Sequence, residues 1–294
     1  MAGWSHGRAG GGNGSRAAVS GAGRVALFIA PTEGTDAVTG LKTHRFPGRD
    51  GLDLVYRETG EGRPLLLLHG FSGSYRHWFD HGPAATLAAR GRHAILPDFR
   101  GHGDSPQPRD AAAYPPDVLT DDILALIDHL GLPDHGYDLA GYSLGGRIAI
   151  RLLIRGARPA RAIAGGQGLA DMTRAAGSGA NHRVLQALAT GDAIEPGTPD
   201  AQAAYWFSRS GADPRALLNV LESVVANSPE EVRGIQTPTL VVVGDEDYAH
   251  GTGEALAATL PRGRFVGVPG DHWSALTGPE FAEAVGAFLD EPVG

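Results

Sequence analysis

Residues 137–155, with the sequence YDLAGYSLGGRIAIRLLIR, place a short apolar strand pattern directly before a longer apolar helical pattern. Residues 137–140 predict a strand, and residues 144–155 predict a buried helix. Between them lies the turn GYSLG at 141–145, in which two glycines let the backbone close tightly around Ser143. The segment therefore predicts an exposed serine hydroxyl on a sharp turn between a strand and a helix.

Strand and helix patterns alternate along the rest of the chain from about residue 43. The remaining apolar strand patterns occupy residues 52–58, 65–68, 94–96, 162–164, 239–243 and 265–268. Helical spacing of apolar residues marks 118–130 and 281–289. This alternation predicts an α/β fold, in which a mostly parallel, doubly wound sheet is flanked by helices. Residues 52–58 are expected to form an early strand at the sheet edge.

The domain organisation follows from where this alternation is present. It stops between residues 168 and 230, where helical pieces at 201–207 and 215–225 replace the strand patterns. We interpret 168–230 as a helical cap inserted into an α/β core of residues 41–167 and 231–294. Residues 1–40 are rich in Gly, Ala and Ser without periodicity, which predicts a disordered tail.

A second Gly-x-Ser-x-Gly match is centred on Ser5. The chain contains 44 glycines, so the pattern alone is weak evidence and its context must decide. Ser5 lies in the predicted tail, without a strand before it or a helix after it. Ser143 has both, and the amides at the start of the following helix would stabilise an oxyanion beside it. A structural role for Ser143 as a helix N-cap is the alternative.

A reactive serine needs a base and a carboxylate that orients the base. Imidazole suits the first task because its unperturbed pKa lies near neutrality. His272 follows the last strand pattern, so it is predicted at the carboxyl edge of the sheet, where Ser143 also lies. Three carboxyl groups follow the strand pattern at 239–243 and are expected at the same edge: Asp245, Glu246 and Asp247.

Composition argues against several functional classes. The formal net charge of −8 disfavours a broad nucleic-acid surface, so a small-molecule substrate is favoured. The absence of cysteine excludes disulfides, thiolate metal sites and cysteine nucleophiles, and fits the cytoplasmic location that we expect. The longest apolar stretch near the start, residues 25–30, is too short for a membrane span.

Metal and nucleotide motifs are missing from the sequence. His77 and His81 are four residues apart, but no Glu completes a His-Glu-x-x-His motif, and we interpret both as surface histidines. A phosphate-binding loop ending in Gly-Lys-Ser/Thr does not occur, since Lys42 is the only lysine. We therefore expect no metal and no cofactor.

Residues from about 43 to 290 resemble the α/β-hydrolase family at several separated motifs. These are the turn around Ser143, the sequence HGF at 69–71 and the sequence DFRGHGDS at 98–105. The order serine, acid, histidine is also that of the family, and of neither chymotrypsin-like nor subtilisin-like proteases. The resemblance implies that Asp247 is the acid, because the family places it three residues after the Gly that ends the strand. Asp245 is the less favoured choice and would instead cap the turn.

The resemblance also implies roles for the two loops. The backbone N–H groups of Phe71 and Leu144 would form the oxyanion hole. We interpret His69 as a structural histidine that bonds to the loop backbone. In the loop at 98–105, glycines would allow a tight turn that Asp98 or Arg100 pins, and His102 is not expected to be catalytic.

Aromatic side chains near these motifs are candidates for a substrate pocket. They are Tyr75, Trp78, Trp206, Phe207 and Trp273. Each could equally belong to the core. Together they favour a substrate with an apolar portion.

The residues and the resemblance predict a serine hydrolase that cleaves a carboxylic ester or lactone through an acyl-enzyme. Serine rather than aspartate as the nucleophile argues against the epoxide hydrolases and haloalkane dehalogenases of the family. Hydrolysis of a carbon–carbon bond and cofactor-free perhydrolysis use the same three residues, so both stay open. A non-catalytic ligand receptor on the same fold is the alternative outside enzymes.

Overall fold

A nine-stranded sheet runs through the part of the chain that the computed structural model describes, residues 34–35, 40–174 and 179–292. The strands are β1 (Gly34–Thr35), β2 (Lys42–Pro47), β3 (Asp53–Thr59), β4 (Arg63–Leu68), β5 (Arg92–Pro97), β6 (Asp138–Tyr142), β7 (Ala162–Gly165), β8 (Thr239–Gly244) and β9 (Gly263–Val268). Their order is β1-β2-β3-β5-β4-β6-β7-β8-β9. The first three pairings of this order are antiparallel, and all pairings from β5 to β9 are parallel.

Helices cover both faces of the parallel part. They are α1 (Arg76–Phe79), α2 (Ala84–Ala89), α3 (Val118–His129), α4 (Leu144–Ile154), α10 (His250–Thr259), α11 (Ser274–Thr277) and α12 (Pro279–Asp290). Alternate residues of a strand face opposite sides, so Leu66 and Leu68 pack with α3 and α4, whereas Leu65 and Leu67 pack with α2 and α12. Both sets are fully buried, as expected for a sheet covered on two sides. The predicted α/β fold with a mostly parallel sheet is confirmed.

Five helices lie between β7 and β8, in the stretch interpreted as a cap. They are α5 (Leu169–Thr173), α6 (Ala180–Thr190), α7 (Pro199–Arg209), α8 (Pro214–Ser223) and α9 (Pro229–Arg233). Helices α6, α7 and α8 share a small apolar cluster that includes Leu185, Phe207 and Leu217. Helix α8 also contributes Ala216 and Val220 to the main core, which joins this cluster to the sheet.

Two sequence expectations about the start of the fold need correction. Gly34 and Thr35 fall within the predicted tail, but they pair with Thr43 and Lys42 in β2. The other residues of that tail up to residue 39 lie outside the described residues. Strand β3 is not at the sheet edge, because β2 pairs with its outer side along six residue pairs. Within the described residues, no helix has both the length and the apolar composition that a membrane crossing requires.

Tyr75 and Trp78 belong to the core and do not line a pocket, which corrects the sequence interpretation. Trp78 is fully buried, and its ring lies 6.1 Å from that of Phe281. Tyr75 is 8% exposed, and the guanidinium of Arg57 stacks 3.9 Å from the centre of its ring. Tyr75 immediately precedes α1 and Trp78 lies within it, and the three-residue spacing puts both side chains on the side that packs against the sheet.

The burial of Trp78 gives a stability prediction with a matched control. We expect Trp78→Ala to lower the free energy of unfolding by about 3–5 kcal/mol, because the substitution leaves a large cavity in the core. Trp206→Ala removes the same side chain from a site that is 62% exposed, and we expect a change within about 0.5 kcal/mol. Urea denaturation of both variants measures the difference. Equal effects would show that Trp78 is not a core residue.

Candidate active site

Ser143 occupies a turn that only a strained backbone can make. It joins β6 to α4 with φ 54° and ψ −119°, a left-handed conformation that L residues other than glycine rarely adopt. Its backbone N–H donates to the carbonyl of Gly165 in β7 at 2.9 Å. A Cβ on Gly141 would lie 2.0 Å from the carbonyl oxygen of Gly145, and a Cβ on Gly145 would lie 2.0 Å from that of Leu68. Both glycines are therefore required by close backbone approach.

Three side chains from distant parts of the chain form one line of hydrogen bonds. The Nε2 atom of His272 lies 2.9 Å from the Oγ atom of Ser143. The Nδ1 atom of the same ring lies 2.8 Å from the Oδ2 atom of Asp247. The Tyr142 hydroxyl donates to the carbonyl of His272 at 2.8 Å, which helps to fix the loop that carries the ring. The three residues predicted from the sequence are therefore in contact.

The carboxyl groups after β8 have different surroundings. Asp247 is 5% exposed, and its second oxygen accepts the backbone N–H of Ala249 at 3.0 Å. Asp245 is exposed and accepts the backbone N–H of Gly270 at 2.9 Å, so it joins the two loops that carry Asp247 and His272. Of the two aspartates, only Asp247 contacts the imidazole. The bond of Asp245 to the backbone agrees with the structural role expected for it.

The loop after β4 lies against Ser143. A Cβ on Gly70 would be 3.4 Å from the Cβ atom of Ser143. Among the described residues, the backbone N–H groups of Phe71 and Leu144 donate to no other group. Leu144 begins α4, an eleven-residue helix whose dipole favours negative charge at this end. These two free N–H groups belong to the residues that the family resemblance implies for an oxyanion hole.

Comparison with known proteins identifies the family. A model described as the alpha/beta hydrolase family matches residues 65–284, about three quarters of the chain. The chain belongs to the alpha/beta hydrolase family. It is therefore an enzyme, a hydrolase, and its mostly parallel sheet flanked by helices agrees with this family's fold.

Relatives of this hydrolase differ in their reported activities. The chain is 34% identical over 105 residues to a 2-hydroxymuconate semialdehyde hydrolase from Pseudomonas sp., a match to 36% of each chain. It is 27% identical over 244 residues to the non-heme chloroperoxidase CPO-A1 of Kitasatospora aureofaciens, covering 72% of this chain and 86% of that protein. The solved enol-lactonase from Burkholderia xenovorans has a TM-score of 0.64 and 25% identity, covering 81% of this chain and 97% of that one. Three curated relatives, at 34–40% identity, are matched over only about a quarter to two fifths of their own length.

His69 holds the loop after β4 through hydrogen bonds of its ring. The ring is fully buried, and its Nε2 atom accepts the backbone N–H of Phe99 at 3.0 Å. The Nδ1 atom must then carry the proton, which it donates to the carbonyl of Gly70 at 2.8 Å. Burial holds the pKa of His69 well below its usual value, so the ring stays neutral.

The loop at 98–105 is tied down by buried ion pairs. Asp98 accepts from the guanidinium of Arg57 at 3.0 Å and from the backbone N–H of Tyr75 at 2.7 Å. Arg100 is fully buried and forks onto both oxygens of Asp122 at 2.9 Å. It also contacts both oxygens of Asp50 at 2.7 Å, and it lowers the pKa of Asp50 to about 2. These contacts agree with the structural role expected for this loop.

Two residues beside the triad were missed or misplaced by sequence reasoning. Tyr248 directly follows Asp247, and its ring lies 4.8 Å from the His272 ring. Burial of its hydroxyl raises the pKa of Tyr248, and the nearby Ser143 opposes this rise. His77 is not on the surface: it is half-buried, 3.4 Å from a Cβ on Gly70, and burial and His81 lower its pKa to about 4. The only feature of the sequence that could have placed His77 near the site is its position a few residues after HGF at 69–71.

The remaining aromatic candidates fall in different places. Phe207 of α7 packs against Phe71, with ring centres 5.8 Å apart, and so reaches the oxyanion loop. Trp273 is 47% exposed at the rim, 5.0 Å from the His77 ring. Trp206 makes an edge-to-face contact with Tyr205 and has no ring contact with the site among the described residues. No group of metal-ligating side chains forms in this described part of the chain.

The buried His102 predicts a loss of stability in acid. Burial lowers the pKa of His102 from 6.5 to about 4, so between these values the unfolded chain binds a proton that the folded protein excludes. The free energy of unfolding therefore falls as pH falls through this window, by on the order of 3 kcal/mol for this ring. Urea titrations at several pH values should show a smaller acid loss for His102→Asn.

The control for this prediction is His135→Asn, which replaces an exposed imidazole with a positive φ that asparagine tolerates. It should leave the pH dependence unchanged. If His102→Asn also leaves the pH dependence of the free energy of unfolding unchanged, the acid loss does not come from His102.

Proposed function

We propose that the hydrolase cleaves a carboxylic ester or a lactone through a covalent acyl-enzyme on Ser143. The observation that carries this proposal is the unbroken line of hydrogen bonds from Asp247 through His272 to Ser143, at 2.8 and 2.9 Å. A serine hydroxyl becomes a competent nucleophile when a base lies within such reach and a carboxylate fixes the base.

The reaction proceeds in two halves. His272 Nε2 removes the proton from Ser143 Oγ as that oxygen attacks the substrate carbonyl, and Asp247 stabilises the imidazolium that forms. The imidazolium then donates this proton to the leaving alkoxide. Water attacks the acyl-enzyme in the second half, with His272 again acting as the base. In a lactone the leaving alkoxide is part of the acyl chain, so the intermediate is a hydroxyacyl-enzyme and water releases a single hydroxy acid.

The negative charge on the carbonyl oxygen is stabilised by the backbone N–H groups of Phe71 and Leu144. Both lack other acceptors among the described residues, so no existing hydrogen bond must break when the oxyanion forms. The amino end of α4 adds the field of the helix dipole at the same position.

The side chains around the triad favour a substrate with an apolar portion. The ring of Phe207 packs against Phe71 of the oxyanion loop. The ring of Tyr248 contacts that of His272, and the ring of Trp273 contacts that of His77. The similarity to an enol-lactonase supports an ester or lactone carbonyl. The partial similarity to a 2-hydroxymuconate semialdehyde hydrolase makes carbon–carbon bond cleavage the second candidate, since its reported function would use the same three residues here.

The proposal is tested by labelling and by a substrate panel. A fluorophosphonate probe should label the wild-type protein and not Ser143→Ala. Aryl esters, alkyl esters, lactones and vinylogous diketones, each with short and long apolar parts, then separate the two candidates. Turnover of diketones alone would reject the ester proposal, and a folded protein that neither reacts with the probe nor turns over any substrate would reject both.

The acid of the triad can be tested with two neighbouring carboxylates. We expect Asp247→Asn to lower kcat by on the order of a thousand-fold or more, because the imidazole loses the partner that fixes its tautomer and its charge. Asp245→Asn keeps an oxygen that can accept the Gly270 N–H, and we expect near wild-type kcat. The reverse pattern in steady-state kinetics would show that the acid is Asp245.

Tyr248 should contribute one hydrogen bond at the nucleophile. Tyr248→Phe retains the ring against His272 and removes only the hydroxyl that interacts with Ser143. We expect kcat/KM to fall by roughly ten-fold, the value of one hydrogen bond. Tyr205→Phe makes the same change on α7, where the ring contacts Trp206 and not His272, and should have no effect. Identical kinetics for the two variants would remove Tyr248 from the site.

A further inference from the structure

A cavity of about 930 Å³ lies at the end of the sheet opposite the triad. It is lined by residues just before β7, β8 and β9 and by the carboxyl end of α12. Strands β8 and β9 have six residues each, so roughly 20 Å separates this cavity from the loops that carry Asp247 and His272. A molecule in the cavity therefore cannot reach Ser143, and the cavity is distinct from the substrate site.

Positive charge dominates the cavity wall. Four arginines line it, Arg158, Arg161, Arg262 and Arg264, against the single carboxylate of Glu291. Glu291 already pairs with Arg264 at 2.5 Å. This concentration of guanidinium groups occurs in a chain whose formal net charge is −8, so it does not reflect the overall composition.

Two of these arginines are free to bind a ligand. Arg262 forms no ion pair among the described residues and is exposed. Arg158 lies 3.9 Å from Asp134, and both side chains are 67% exposed, so this pair is weak. Their guanidinium groups therefore retain donors that a ligand could use without breaking a strong contact.

Arg161 is a buried cation without a carboxylate of its own. It is 4% exposed, and its guanidinium donates to the backbone carbonyl of Glu291. Within the described residues it has no ion pair. The carboxylate of Asp138 interacts electrostatically with Arg161 but forms no hydrogen bond with it; its Oδ2 atom is bonded to Arg63 at 2.9 Å and to Arg92 at 3.0 Å. A buried charge without a partner is costly, and an anion bound in the cavity would relieve this cost.

The cavity also offers apolar surface beside the charges. The centre of the Phe288 ring lies 6.0 Å from the guanidinium of Arg161 and 5.7 Å from that of Arg264. Leu153 and Ile235 contribute aliphatic surface to the same wall. A volume of several hundred Å³ with an apolar wall and a few charged groups is typical of a small-molecule site.

We infer that this cavity binds a small organic anion, whose phosphate or carboxylate group is held by Arg158, Arg161 and Arg262 and whose apolar part packs on Phe288. Guanidinium groups match both anions because their paired N–H donors fit two oxygens at once. The second site is independent of the ester chemistry at Ser143.

The test is isothermal titration of the full chain with phenyl phosphate, benzoate and inorganic phosphate. Saturable binding of an organic anion is expected, and it should be tighter than for inorganic phosphate because of the apolar contact. Stronger binding of phenyl phosphate than of benzoate would identify phosphate as the preferred group, and the reverse order would identify carboxylate. Binding should weaken as ionic strength rises.

The double variant Arg158→Gln/Arg262→Gln locates the binding site. Both side chains are exposed, so the fold should be retained, and we expect the Kd to rise by on the order of ten-fold or more. Arg209→Gln removes the same charge on α7, outside the cavity, and should leave the Kd unchanged. Ser143→Ala should also bind normally, which separates this result from the catalytic proposal.

Two outcomes would overturn the inference. The first is the absence of saturable binding of either organic anion at millimolar concentration. The second is binding that the double variant leaves unchanged, because the ligand would then occupy another site.

Discussion

The backbone at Ser143 is held with a φ of 54°, and the rest of the site depends on that conformation. A left-handed serine costs on the order of 1–3 kcal/mol, which the neighbouring structure must offset. The offset comes from the hydrogen bond to Gly165 in β7 and from backbone contacts that Gly141 and Gly145 make possible. Because α4 starts at the next residue, the same turn carries the Ser143 hydroxyl and the Leu144 N–H on adjacent residues.

The parallel sheet brings the other groups to this point. Strands β4, β6, β8 and β9 run in the same direction, so the loops at their carboxyl ends share one edge. Each loop is then fixed by its own polar contacts: His69 ties the oxyanion loop to Phe99, and Asp245 ties the Asp247 loop to Gly270. The distances from the His272 ring to Asp247 (2.8 Å) and to Ser143 (2.9 Å) therefore depend both on strand direction and on local hydrogen bonds.

The two ends of the sheet differ in electrostatics. At the carboxyl end, where Ser143 lies, burial lowers the pKa of His77 and of His102 to about 4. At the amino end, arginines outnumber carboxylates around the cavity below β7, β8 and β9. Desolvation keeps these two imidazoles neutral, whereas the amino end concentrates positive charge in an acidic protein. The same strands thus separate two sites with different ligand chemistry.

The sequence by itself determined the fold class, the family and the three residues that contact one another at the site. Local patterns were sufficient because the turn at 141–145 needs glycines, and because strand patterns followed by polar residues place Asp247 and His272 at one edge. Only the tertiary structure decided that Trp78 lies in the core, that Tyr248 covers His272, and that His77 lies beside the oxyanion loop. Only it assembled the arginine cavity, whose members come from separate segments. The physical reason is that the burial and the contacts of a side chain depend on elements distant in sequence, which no local periodicity records.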